Sequence, residues 1–95
     1  MKIKVTLEEQ PVEFIKRQPP QSRKRLRDAL HDVEQGTAFP EPLEDELEGF
    51  YKAKVESFRL ILQSAASKEG PLFRVIFAER RKAVYEMFSQ LLGLE

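Results

Sequence analysis

The 95-residue chain has no Cys and no Trp, and it has a single His. Without cysteine it has neither a disulfide framework nor a thiolate metal site, and one histidine is too few for a His-based metal centre. No metal ligand set and no cofactor are expected. The chain also lacks the roughly 20 consecutive apolar residues that a bilayer span needs. Its start, MKIKVTLEEQ, carries charges where a signal peptide needs an apolar run. The expectation is a soluble, cytoplasmic protein with no membrane partner. Equally absent are a Gly-rich phosphate loop, an HExxH pair and a nucleophile elbow. Any chemistry must therefore come from ordinary polar side chains.

An excess of one charge sign is missing as well. Sixteen Lys/Arg cancel 16 Asp/Glu, whereas nucleic-acid binders usually owe affinity to surplus positive charge. The distribution is uneven, however. Residues 1–48 hold 8 Lys/Arg against 11 Asp/Glu, a balance of −3, and residues 49–95 hold 8 against 5, a balance of +3. Local potential matters more than the sum where a surface is lined by one sign. The length fits one domain spanning 1–95 around one core. The final Leu94-Glu95 matches the scar of an expression tag as well as native sequence, and carries no functional weight.

Periodicity gives an order of elements. Ile3, Val5 and Leu7 alternate with Lys2, Lys4 and Thr6, the period of a strand with one buried face. Pro11 at a first helical position, after Glu8 and Glu9, predicts a short helix that gathers Val12, Phe14 and Ile15 and stops near Pro19-Pro20. Leu26, Ala29, Leu30 and Val33 predict a longer helix over 21–35, closed by Gly36. Its cations Arg23, Lys24, Arg25 and Arg27 are followed by Asp28, Asp32 and Glu34, so they read as a solvated face, with His31 among them at the surface. Residues 37–48, rich in acids and proline, read as a loop with a single turn around Leu43 to Leu47.

Three strands then follow: FYKAKV, FRLILQSA after a turn at Glu56-Ser57, and LFRVIFA after SKEGP. Phe73, Val75 and Phe77 are expected on one face of the last. Val84, Met87, Phe88 and Leu91, at helical spacing, predict a terminal helix. The whole reads as an α+β fold: an N-terminal strand, a helical hairpin, a three-stranded antiparallel meander completing one sheet, and a C-terminal helix. The helices are expected on one sheet face.

Two basic clusters carry the functional reading. Lys52, Lys54 and Arg59 lie on the first hairpin, and alternation puts Lys52, Lys54 and Glu56 on one face. Arg80, Arg81, Lys82 and Tyr85 lie where the last strand leaves the sheet. A solvated strand face accounts for the lysines, and so does a surface for phosphate. If the clusters meet, the patch suits RNA, which carries its own nucleophile. Its 2′-hydroxyl attacks the adjacent phosphorus once its proton is removed, the added charge is stabilised and the 5′-oxygen is protonated. The missing part is a base, a role that falls to a lysine only if cationic neighbours lower its proton affinity. Tyr85 is equally explained as an aromatic packing on the sheet with its hydroxyl at the rim.

The runs L-x-G-F-Y-K-A-K-V, F-R-L-I-L and R-R-K-A-V-Y resemble the RelE/ParE superfamily of bacterial type II toxin-antitoxin toxins along nearly the whole chain. Leu47, Gly49, Tyr51 and Lys52 match its leucine, glycine, tyrosine and basic strand. Phe58-Arg59 match its tyrosine-arginine strand start, with Phe in place of Tyr, and Arg81, Val84 and Tyr85 match its terminal motif. The resemblance implies a cognate antitoxin protein as partner. Lys52 and Lys54 resemble the RelE-like branch, whose members cut messenger RNA on the ribosome without a metal, more than the ParE-like branch, which poisons DNA gyrase. It implies an endoribonuclease with Lys52 as base, Lys54 and Arg59 as phosphorane stabilisers, Arg81 as acid or stabiliser and Tyr85 positioning the nucleotide. Arg80 competes with Arg81, and Arg80 and Lys82 are the implied RNA contacts. The alternatives are a gyrase inhibitor without nuclease activity, or a non-toxic binding relative.

Overall fold

The computed structural model describes residues 3–93, so Leu94 and Glu95 lie outside the described residues. The first alternating run forms β1 (Lys4–Leu7), and the chain turns directly into α1 (Glu9–Lys16). That helix starts two residues before Pro11. Glu9 places an acid at its positive end, and Pro11 falls on the third helical residue, whose N–H has no intrahelical partner in any case. Helix α2 (Pro20–Gln35) begins on a proline suited to the first helical position and ends, as expected, at Gly36 with φ 77°. That left-handed residue lets the N–H groups of Thr37 and Ala38 donate to Asp32 O at 3.0 and 3.2 Å.

The expected loop after α2 holds a strand. Glu41–Pro42 forms β2, followed by a 3₁₀ turn at Asp45–Leu47, and β2 pairs antiparallel with β3 (Phe50–Val55). Two residues are too few to show a period, and a proline is tolerated there because β2 is an edge. Strands β4 (Phe58–Ser67) and β5 (Gly70–Arg80) run two or more residues beyond their predicted ends, and α3 (Val84–Leu92) closes the described chain. The sheet order is β1-β5-β4-β3-β2, with β1 parallel to β5 and the other pairs antiparallel.

Both faces of this sheet are covered. Leu60, Leu62, Val75 and Ala78 pack with Phe14 and Ile15 of α1 and Leu26 and Leu30 of α2. On the other face Ile61 and Phe77 pack with Val84 and Phe88 of α3. The expectation that all helices share one face is therefore incorrect for α3. The reason is a β-bulge: Ile61 pairs with Phe77 but Leu62 pairs with Val75, so Ile76 is an extra residue opposite none. Phe73 and Val75 face α1 and α2, and beyond the bulge Phe77 faces α3. Phe88 meets Phe50 edge-on at 5.1 Å between ring centres. Of the four apolar residues at helical spacing, α3 buries Val84 and Phe88 and leaves Met87 and Leu91 exposed. No helix among the described residues is long and apolar enough to cross a membrane.

One long-range polar contact holds the end of β5. Where β1 stops, the Gln10 side chain continues the ladder: Ala78 N–H donates to Oε1, and Nε2 donates to Ala78 O, both at 2.7 Å. Ala78 is fully buried. Gln10→Ala leaves both groups without a partner and is expected to cost about 1–3 kcal/mol in urea unfolding. A loss below about 0.5 kcal/mol, the range of an ordinary surface substitution, contradicts this reading.

Candidate functional site

The sheet register shows which charged side chains share a face. Lys54 pairs with Arg59, which pairs with Glu79; two residues along, Glu41 pairs with Lys52, which pairs with Ile61. Directly opposite Cβ atoms in such a ladder lie about 4.5–5.5 Å apart. Lys52, Lys54 and Arg59 thus stand together on the α3 face, as alternation predicts, because Tyr51, Ala53 and Val55 pack into the other face. Tyr85, in the first turn of α3, packs against the Ile61 and Phe88 cluster and lies on the same side. Its ring is half-buried.

The hairpin turn gathers two arginines. Glu56 sits at φ 55°, a left-handed conformation unusual for a side-chain-bearing residue. The turn's carbonyls are taken by Arg59, whose Nη1 donates to Glu56 O at 2.9 Å and Phe58 O at 2.7 Å, and by Arg81, whose backbone N–H donates to Ser57 O at 2.8 Å. Arg59 is therefore fixed by its own turn, and Arg81 is exposed beside it. Lys82 is exposed in the turn before α3. Arg80 lies on the opposite face, its guanidinium carbon 5.3 Å from the centre of the Phe58 ring. The bulge sends it there and sends Glu79 to the lysine face.

Glu56 does not share the face of the lysines. The left-handed turn directs its carboxylate to α2, where Oε2 meets Arg25 Nη1 at 2.6 Å. The acid that meets the lysines is Glu41 of β2, which lies 3.9 Å from Lys52 Nζ and 3.8 Å from Lys54 Nζ through its two oxygens. Sequence reasoning missed both Glu41 and Glu79. Glu41 was hidden because β2 is too short to be periodic, although an acid flanked by prolines, Pro40-Glu41-Pro42, is a composition typical of an edge strand.

No sequence-family profile matches the chain, and no curated protein does. Solved structures do. A mutant of the E. coli toxin RelE in the free state superposes with a TM-score of 0.71 at 21% identity, covering 98% of this chain and 97% of that one. The chain has the RelE/ParE toxin fold. A chain of the toxin–antitoxin complex RelBE2 from Mycobacterium tuberculosis matches with a TM-score of 0.69 at 18% identity, over 85% of this chain and all of that one. A YoeB/ParE toxin from Agrobacterium tumefaciens gives 0.64 at 17%, over 83% and 99%. At these identities the RelE/ParE likeness concerns backbone architecture, and the side chains above belong to this chain alone.

Lysine reactivity reports the Glu41 contact directly. Glu41→Gln is expected to raise the acetylation rates of Lys52 and Lys54, read peptide by peptide by mass spectrometry. An exposed ion pair worth under about 1 kcal/mol corresponds to roughly two- to fivefold. Glu56→Gln is expected to leave both rates unchanged. The opposite pattern contradicts the assignment.

Proposed function

We propose that residues 1–95 form one toxin domain of the RelE/ParE superfamily, held in check by a cognate antitoxin, and that it is a metal-independent endoribonuclease acting on ribosome-bound messenger RNA. The single observation that carries this reading is the gathering of Lys52, Lys54 and Arg59 on one sheet face, with Arg81 and Tyr85 at its end. The fold likeness supports the toxin role, and the complex with an antitoxin among the similar structures supports the partner. Such an enzyme acts in the cytoplasm, where its ribosomal target lies.

The chemistry fits RNA cleavage by its own 2′-hydroxyl. The 2′-oxygen bonds to phosphorus as the bond to the 5′-oxygen breaks, leaving a 2′,3′-cyclic phosphate and a 5′-hydroxyl. Lys52 takes the 2′ proton, Arg81 supplies the proton on the 5′-oxygen or neutralises its charge, and Tyr85 orients the nucleotide. Lys54 and Arg59 face the two non-bridging oxygens, on which negative charge grows. Arg59 is well suited, since its anchoring on the turn carbonyls orders it before substrate arrives. The incoming phosphate takes the place of the Glu41 carboxylate, which now occupies both lysines.

Glu41 is also the observation that favours a second reading. An acid between the two lysines opposes RNA, and a chain with this fold that poisons DNA gyrase needs no free phosphate site. Induced expression is expected to arrest growth and cut messages on programmed ribosomes, with Lys52→Ala or Arg81→Ala lowering the cleavage rate at least about 100-fold. Arrest that persists in both variants with intact messages and gyrase co-purifying assigns the chain to the gyrase class. Expression without arrest assigns it to the non-toxic relatives.

A further inference from the structure

We infer that Arg25 of α2 and Glu56 of the turn between β3 and β4 are a positioning pair that orders Arg59 and Arg81 for the phosphate; the inference rests on the nuclease reading. Val55 and Phe58 end the two strands and are buried in the core shared with α1 and α2. Glu56 and Ser57 between them are exposed. Among the described residues, the only ion pair or hydrogen bond made by either of these two side chains is the one from Glu56 Oε2 to Arg25 Nη1, at 2.6 Å. Glu56 is disfavoured at this position on local grounds. A two-residue hairpin loop with positive φ favours Gly, Asn or Asp, and a longer side chain at φ 55° crowds the following carbonyl. Glycine would suit the backbone but could not reach α2. A residue held in the left-handed region against its preference points to a contact that the turn geometry alone does not supply.

The two residues tied to α2 in this way are the ones on which the site's arginines rest. Glu56 O accepts from Arg59 Nη1 at 2.9 Å, and Ser57 O accepts from the Arg81 N–H at 2.8 Å. Arg25 itself stands behind the sheet, with α2, and touches neither arginine's guanidinium. It acts through the turn. Both partners are about half exposed, at 50% and 49%, so the pair biases the turn by at most about fivefold. A bias of that size changes how often the two arginines are in place and leaves folding intact. The Lys24–Asp28 pair, also exposed on α2 and 3.0 Å long, lies within the helix and touches no turn. It serves as the matched comparison.

Glu56→Gly removes the carboxylate and keeps the left-handed backbone, Arg25→Gln removes the other partner, and Lys24→Gln is the control. Solvent exchange of the Arg81 amide is followed by NMR, urea unfolding gives stability, and cleavage on programmed ribosomes gives kcat and KM. Both pair variants are expected to speed exchange of the Arg81 N–H and to lower kcat about two- to fivefold, with KM unchanged. The double variant is expected to lose no more than either single one. Glu56→Gly is expected to unfold at the same or a higher urea concentration, because glycine accepts φ 55° without crowding. Lost stability then cannot account for its lower kcat. Lys24→Gln is expected to match the parent throughout. An Arg81 amide or a kcat that responds to neither pair variant overturns the positioning role and leaves the nuclease reading standing. A kcat loss shared by Lys24→Gln, or one that follows a drop in stability, does the same. A parent chain that cuts no message overturns the nuclease reading, and with it the role of the pair, whatever the exchange rates.

Discussion

The bulge at Ile76 is the constraint that brings Phe77 under α3 and Glu79 to the lysine face. One extra residue in β5 reverses the inside and outside of everything beyond it. Before it, Val75 faces the α1 and α2 layer; after it, Phe77 meets α3 and Ala78 returns to the first core. Without it, Phe77 would stay with Val75, and α3 would lose one of the two sheet residues that form its buried core. The same reversal sorts the charges at the strand end. Glu79 goes to the lysine face beside Arg59, and Arg80 goes to the ring of Phe58. Gln10 then holds the reversed segment by bonding both polar groups of Ala78 from 68 residues away.

A second constraint comes from the edge strand. Two residues of β2 bring Glu41 level with Lys52, and one carboxylate spans both lysines. Exposed pairs of this kind contribute under about 1 kcal/mol each, so a phosphate with more charge and more acceptor oxygens displaces the carboxylate readily. Glu41 therefore offsets the repulsion between the two lysines without closing the site. A neutral chain is thereby reconciled with a phosphate surface: its acids are placed as exchangeable partners of particular cations, Glu41 for Lys52 and Lys54, and Glu56 for Arg25.

Much of this architecture was legible in the sequence, because periodicity and stop signals are local. The alternation of Val5 and Leu7, the 3.6-residue spacing of Leu26, Leu30 and Val33, and the stop at Gly36 each located an element. Alternation also placed Lys52 and Lys54 on one face correctly. What it missed depends on pairing between distant segments. A bulge is invisible without the partner strand, so the sides of α3 and of Arg80 were not readable. Glu56 was misplaced because alternation ends at a turn, and its left-handed backbone aims the side chain at α2. The basic helix face that read as merely solvated supplies Arg25 to hold that turn. Glu41 escaped because a two-residue strand has no period.

The central claim is that one face of the sheet, the one that carries Lys52, Lys54 and Arg59, handles RNA phosphate. Titrating a short single-stranded RNA into isotope-labelled protein and following side-chain and backbone resonances tests it most directly. The account predicts shifts at Lys52, Lys54, Arg59 and Tyr85, with Arg80 and Phe58 on the opposite face unmoved. Shifts centred on Arg80 and the α1 and α2 layer, with the lysines silent, would contradict it.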